Sequence, residues 1–329
     1  MNLERIKFTD LEGFSIGNAQ DFNAFTGVTA LVFTKKNICG IDISGGGPAA
    51  RESYLFSPLS YEQSVTALLL SGGSAYGLSA ATGAMQFLEE RGMGYKLGEL
   101  VVPIVPQSCI FDLGIGSSKI RPDAVMGYKA CEAALDKSSK WHGALSGTVG
   151  GGTGATIGKI YGMERSQKSG IGYAAFKVGT LKIGAIVVVN ALGDIFDYTT
   201  AKKIGGALTP DRKDFCSVEE ALYLMQQSAT NGTNTTIGAV ITNASLTQQE
   251  LCKLASMTRS GLGRSINPVG TTADGDTMYA ISTGGVKADV NVCGTLACKA
   301  LSEAIIDAVN SSRMEDAEYL AAVKAVKEN

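Results

Sequence analysis

The chain has 329 residues, a formal net charge of -2, 41 glycines and only 18% charged side chains. At about 100 to 200 residues per domain that length allows two domains or one large one, and glycine above the usual ~7% with charge below the usual ~25% describes a tightly packed globular enzyme. Near-neutral charge excludes nucleic-acid binding by a basic surface; the polar start Met1 to Lys7 and the lack of any run of ~18 uncharged apolar residues exclude a secretory leader and a membrane span, so a soluble, cytoplasmic protein is expected.

In chain order, β-branched runs predict strands at Val28 to Phe33 and Ile38 to Ile43. An apolar run leads to Gly72-Gly73-Ser74, after which Leu78, Ala81, Met85 and Leu88 fall at helical spacing, with Ser74 as cap and Gly92 as the stop. Further strands are predicted at Ala155 to Tyr161, Gly172 to Val178 and Lys182 to Asn190, followed by a long exposed loop from Asp194 to Phe215. Two capping boxes, Ser217 with Glu220 and Thr247 with Glu250, open helices, the second ending at Gly261. Strands at Thr236 to Thr242 and Thr277 to Ser282, a helix over Leu296 to Val309 and an amphipathic tail helix over Met314 to Lys327 complete the chain. Without repeat, low-complexity block or linker, a single α/β domain over 1–329 is expected.

Seven cysteines, an odd number with no C-x-x-C pair, point to buried free thiols. His142 is the only histidine, which excludes multi-histidine metal sites; in Trp141-His142-Gly143 it reads as a surface or capping residue. Gly72 to Tyr76 approaches the G-x-S-x-G nucleophile elbow, and Tyr76 breaks it. The glycine run from Gly150 to Gly158 fails as a P-loop at Thr153 and Ile160 and as a dinucleotide loop because no helix follows; its glycines instead suit close backbone approach to a substrate or another chain. Asp274-Gly275-Asp276 lacks the remaining ligands of a calcium loop and reads as a hairpin turn or a site element. No cofactor or metal is implied.

Asn231 to Asn243 sets a cluster of small hydroxyl residues directly before an apolar strand. A hydrolase without usable histidines or metal ligands needs another proton acceptor, and a chain-terminal α-amine, with a pKa of about 7.7 to 8.0, is one; it must be made by cleavage before Ser, Thr or Cys.

Here the chain resembles the DmpA/NylC family of N-terminal-nucleophile aminopeptidases and amidases, which includes β-peptidyl aminopeptidases and the endo-type nylon-oligomer hydrolase. The matching stretches are Gly40 to Pro48 with Arg51-Glu52, Leu70 to Leu78, Val102 to Pro106, Ile110 to Gly114 with Arg121 to Asp123, Val149 to Lys159, Val187 to Ala191, Asn234 to Ile237 and Asp274 to Thr277. The chain departs from the family at Asn18, where histidine is common, and at Ser79, where aspartate is common.

The resemblance implies an α/β four-layer αββα sandwich of the kind shared with ornithine acetyltransferases, and self-cleavage between Asn234 and Thr235 into chains 1–234 and 235–329. Thr235 becomes the nucleophile, its new amine the base. Asn190 resembles the side-chain donor to the tetrahedral oxyanion, Lys159 the site lysine that eases deprotonation of the nucleophile or orients its amine, and Asp274 with Asp276 the acidic pair that holds the Thr235 ammonium. The expected substrate is a small peptide, an amide or an ω-amino acid oligomer, handled by a homotetramer of αβ units. The alternatives are an ornithine acetyltransferase-like acyltransferase and a silent binding homologue.

Overall fold

Two β-sheets lie face to face, and helices cover the outer surface of each. The computed structural model describes residues 2–61, 64–225 and 234–328. In chain order the first half contains β1 (Leu3–Ile6), β2 (Phe14–Asp21), β3 (Thr26–Phe33), β4 (Ile38–Ile43), β5 (Ala49–Arg51), β6 (Ala67–Ser71), α1 (Ala80–Glu89), β7 (Tyr95–Leu97), β8 (Leu100–Val102), β9 (Gln107–Cys109) and α2 (Ala124–Leu135). The second half contains β10 (Thr156–Ile157), β11 (Gln167–Lys168), β12 (Ile171–Val178), β13 (Leu181–Asn190), β14 (Asp194–Asp197), β15 (Lys202–Gly205), α3 (Val218–Leu224), β16 (Thr235–Ala244), α4 (Gln248–Thr258), α5 (Ser260–Ser265), β17 (Ile266–Asn267), β18 (Thr277–Val286), α6 (Val290–Asn310) and α7 (Asp316–Glu328).

One sheet has the order β1-β12-β13-β16-β18-β4, antiparallel throughout except for the β16–β18 pair; the other has the order β2-β3-β6-β9-β5. The central strands β13 and β16 are buried along almost their whole length and mostly apolar, because both of their faces are covered. Along β13 the side chains alternate: Ile183, Ala185, Val187 and Val189 join the core beneath α4 and α6, while Ile186 and Val188 enter the core between the sheets. On β16, Ile237, Ala239 and Ile241 face between the sheets and Val240 faces the helices. A third core lies under α1 and α2 on the other sheet. Each fully buried Val, Ile or Leu contributes about 1.5–3 kcal/mol, so the layered burial dominates the stability of the fold. The sheets are also joined by a hydrogen bond of 2.9 Å between the Ser108 and Tyr279 hydroxyls. This is the αββα sandwich expected from the resemblance.

The helix-cap readings hold in part. Thr247 and Glu250 form a full capping box, whereas at Ser217 only the forward half is made, its hydroxyl accepting from Glu220 N–H at 3.2 Å. Ser74 does not cap α1: it lies in a 3-10 turn, Ser74–Ser79, preceded by Gly73 in left-handed conformation. Helical structure does not end at Gly261 but continues through α5, and the helix expected from Leu296 begins at Val290 under the Asp289 cap. The region from Asp194 to Phe215 is not one loop. It holds the hairpin β14–β15, pinned by an ion pair of 2.7 Å between Lys203 and Asp194. His142 bonds through Nδ1 to the Ala133 carbonyl near the end of α2, in keeping with the capping role expected of it. All seven cysteines are free thiols.

Gly172 on β12 shows how closely α6 seats: a Cβ there would lie 2.1 Å from the Ala304 carbonyl oxygen and 2.4 Å from Ala308 N. Gly172→Ala forces the helix off the sheet at a cost of about 1–3 kcal/mol. Scanning calorimetry is expected to show a thermal midpoint lower by a few degrees; an unchanged midpoint contradicts this packing.

Candidate active site

Three strand ends meet at one end of the large sheet. β13 finishes with Asn190, and its antiparallel neighbour β16 begins with Thr235; the two residues are direct partners in the register. Alternation puts both side chains on the face between the sheets, with Ile186, Val188, Ile237 and Ala239. β18 runs parallel to β16, pairing Ile237 with Thr277, and the same offset of 40 pairs Asn234 with Asp274 ahead of the strands. The Asp274-Gly275-Asp276 segment therefore runs beside Asn234-Thr235-Thr236. It is not the hairpin turn offered by the sequence, because the strand that follows pairs in parallel and needs no tight reversal.

The segment is tied down at nearly every polar atom. Asp276 accepts Thr236 N–H at 2.6 Å through one carboxylate oxygen and Gly270 N–H at 3.0 Å through the other. Asp274 accepts Thr271 N–H at 2.7 Å and the Thr271 hydroxyl at 2.6 Å. From behind, Ser44 N–H donates to the Asp276 carbonyl at 3.0 Å and Gly47 N–H to the Asp274 carbonyl at 2.9 Å. Gly275 N–H donates to the Asn234 carbonyl at 2.9 Å, and the Thr235 hydroxyl donates to that same carbonyl.

Lys159 arrives by a different route. It does not lie in a strand as the sequence suggested; only Thr156 and Ile157 pair, and Gly158, at φ +72°, turns the chain into a 3-10 turn at Lys159–Tyr161. A Cβ on Gly158 would lie 2.1 Å from the Gly206 carbonyl carbon, so this turn is closed to other residues. From there Lys159 Nζ donates to the Asn190 carbonyl at 2.8 Å. The Asn190 side chain is fixed at both ends: Oδ1 accepts Thr156 N–H at 3.1 Å, and Nδ2 donates to the Phe111 carbonyl at 3.2 Å. All five residues singled out in the sequence are thus gathered around the Asn234–Thr235 peptide bond, with Thr235, Asn190, Asp274 and Asp276 buried and Lys159 half-buried.

Burial sets the electrostatics. Loss of water pushes Lys159 down from its ordinary value to about 7, against the opposing pull of Asp274, Asp112 and Asp276. Burial, reinforced by the Asp274 charge, pushes Asp276 up to about 7, against the two N–H donors and Lys159. Asp112 lies in the Ile110 to Gly114 stretch, where the sequence assigns no role to it. Burial raises it to about 6, and it accepts Gly73 N–H and the Thr26 hydroxyl, each at 2.7 Å. Its signal was available: a lone carboxylate inside the apolar run Ile110 to Ile115. The glycines at 150–152 do allow close approach, but to the chain's own side chains and backbone. Cβ atoms on them would lie 2.1 Å from Thr29 Oγ1, 2.4 Å from the Leu70 carbonyl and 2.3 Å from Ile171 N.

Among the described residues no group of three His, Cys, Asp or Glu side chains could hold a metal ion, and no helix is long and apolar enough to cross a membrane.

The sequence profile of peptidase family S58 matches residues 7–328. The chain belongs to peptidase family S58. It is accordingly a hydrolase of peptide or amide bonds. An uncharacterized aminopeptidase of Mycobacterium leprae is 36% identical over 297 residues, 85% of this chain and 79% of its own length. A 6-aminohexanoate-oligomer endohydrolase of Kocuria sp. is 28% identical over 326 residues, 93% of this chain and 86% of its own. Among solved structures, the L-aminopeptidase D-Ala-esterase/amidase of Ochrobactrum anthropi, described as a variant of the Ntn-hydrolase fold, superposes with a TM-score of 0.68 at 17% identity, covering 96% of this chain and 93% of that one. A β-aminopeptidase of Burkholderia sp. gives 0.64 at 18% identity, covering 97% and 94%. This S58 chain therefore shares the fold of those two enzymes.

A Cβ at Gly45 would lie 2.3 Å from Asp276 N and 2.4 Å from the Asp274 carbonyl. Gly45→Ala must displace the acidic segment, and a displacement of about 1 Å costs on the order of 10²-fold in rate. Hydrolysis of an aminoacyl p-nitroanilide by the folded variant is expected to fall by that factor, with the thermal midpoint also lowered; full activity contradicts the assigned placement.

Proposed function

We propose that this S58 hydrolase cuts its own chain between Asn234 and Thr235 and then uses Thr235 as an N-terminal nucleophile on small amide substrates. The observation that carries the reading is the Thr235 hydroxyl lying against the carbonyl of Asn234 at the start of a central strand, with Lys159, Asn190, Asp274 and Asp276 around it. In the uncut chain the Thr235 oxygen attacks the Asn234 carbonyl carbon. The C–N bond then breaks, leaving the Asn234 acyl group as an ester on Thr235 and a free amine on the same residue. Water hydrolyses that ester. In the mature enzyme the amine accepts the hydroxyl proton during attack on a substrate amide and returns it to the leaving nitrogen, so base and nucleophile share one residue.

Before cleavage that amine does not exist, because the Thr235 nitrogen is an amide. Lys159 is the group suited to take the proton, since burial brings its ammonium near neutrality and its Nζ rests on the carbonyl of Asn190, the cross-strand partner of Thr235. After cleavage Asp274 and Asp276 hold the new ammonium, and Asn190 Nδ2 turns to the oxyanion, a contact whose loss costs about 10²–10³ in kcat in other hydrolases. The substrates that fit are peptides or amides with a free amino end, or ω-amino acid oligomers like those named for the Kocuria relative. Exposed Tyr54 and Leu59, between β5 and β6, support assembly into a tetramer of cleaved units.

Two experiments test the reading. Thr235→Ala is expected to remain one full-length chain without amidase activity, and Thr235→Ser to cleave and turn over at a reduced rate; an active, uncut Thr235→Ala enzyme overturns the proposal. Because Lys159 must be deprotonated to accept the proton, the self-cleavage rate is expected to rise with pH through about 7 and then level off. Lys159→Arg, which stays charged, stops cleavage across that range. A rate independent of pH between about 5.5 and 8.5 contradicts the role given to Lys159.

A further inference from the structure

We infer that the backbone N–H of Gly275 is an oxyanion donor, serving first the self-cleavage of the chain and then the hydrolysis of its substrates. This rests on the reading of Thr235 as a self-liberated nucleophile. The donor sits 2.9 Å from the Asn234 carbonyl oxygen, the atom that takes on negative charge when Thr235 attacks. It is aimed at that oxygen before any reaction, which is the condition under which a donor stabilises developing charge without reorganising at the moment of reaction.

The surroundings keep it there. Gly275 lies between two aspartates that are held on several sides: their carboxylates accept Thr236, Gly270 and Thr271 N–H, and their carbonyls accept Ser44 and Gly47 N–H. The one N–H of the segment that faces the scissile bond therefore cannot swing away without breaking bonds on both sides. The lack of a side chain matters equally, because a Cβ on Gly275 would stand 3.0 Å from Thr235 Oγ1 and 3.0 Å from the Gly47 carbonyl, crowding the nucleophile. Only glycine offers this N–H and leaves Thr235 room to move onto the carbonyl carbon.

Reuse in the second reaction follows from the chemistry. Both reactions pass through an ester on the same Thr235 oxygen, first with the Asn234 acyl group and then with the acyl group of the substrate. When the cut chain end withdraws, the substrate carbonyl takes the position that the Asn234 carbonyl held, and it meets the same donor. Asn190 then supplies the second hydrogen bond from β13, on the other side of Thr235 from Gly275.

The test replaces the Gly275 amide with an ester, by incorporating glycolic acid at that position in full-length chain made by cell-free translation. This removes one hydrogen and adds no side chain. The same replacement at Gly98, in the exposed β7–β8 turn, is the control. Self-cleavage of the Gly275 ester is expected to slow by about 10²–10³-fold, with the Gly98 ester indistinguishable from the unaltered chain. In mature enzyme from the Gly275 ester, kcat for an aminoacyl p-nitroanilide falls and KM stays, a split that a merely structural role would not produce. Cleavage of the Gly275 ester at the control rate, or a raised KM with unchanged kcat, overturns the inference. Failure of all three chains to cleave overturns the parent reading, and this one with it.

Should the Gly275 ester fail to fold, as judged by circular dichroism, infrared spectroscopy of Asn190→Ala decides. There the ¹³C-labelled ester carbonyl of an acylated Thr235 is expected at lower frequency than the same ester in water. An unshifted band removes Gly275 as a donor.

Discussion

Parallel pairing of β16 with β18 is the constraint from which the site follows. Because the strands run the same way, their beginnings lie side by side, and the acidic segment ahead of β18 falls beside the residues that open β16. Antiparallel pairing would have carried Asp274 and Asp276 toward Ala244, at the far end of the sheet. β13 runs the opposite way to β16 and so delivers its last residue, Asn190, to the same place. A parallel neighbour demands a long crossover, here α4, α5 and β17, and that crossover also supplies the Gly270 and Thr271 amides that bind the two carboxylates. Strand direction, more than any local motif, assembles the chemistry.

What gathers there is costly to bury. Lys159, Asp276 and Asp112 all lose water, and each responds by moving toward its neutral form: the lysine down, the carboxylates up. The result is a set of acids and bases brought toward neutral pH by burial, none of them a histidine. Lys168 extends the set. Burial lowers it to about 7, and its Nζ donates to the Gly152 carbonyl at 3.2 Å and the Ala155 carbonyl at 3.1 Å, clamping the turn that carries Thr156 to the Asn190 side chain. The glycines between 150 and 158 let that turn wedge between the two sheets, so charge and close packing answer the same need: holding Asn190 and Lys159 still.

Much of this was legible before any coordinates, and the failures have physical reasons. β3, β12, β13, β16 and β18 announced themselves because strands buried on both faces are continuous runs of apolar and β-branched residues. β14 and β15 did not. They are short and charged, and they hold together through Asp194 and Lys203 instead of an apolar stripe. Ala155 to Tyr161 looked like a strand by composition, yet Gly158 takes a positive φ and ends it after two residues. Thr235, Asn190, Lys159, Asp274 and Asp276 were ambiguous one by one and were singled out only through the family resemblance; the fold brings them together. The Gly275 amide was not readable at all, since every residue but proline has one and only the forty-residue register points it at a particular carbonyl.

The central claim is that the working enzyme carries a chain end that translation did not make. N-terminal sequencing of purified, active protein tests this most directly. The account predicts a second sequence beginning Thr-Thr-Ile-Gly, from Thr235 to Gly238, in equal amount to the first and rising in step with amidase activity during maturation. Full activity in material that yields only the sequence starting at the original end would contradict it.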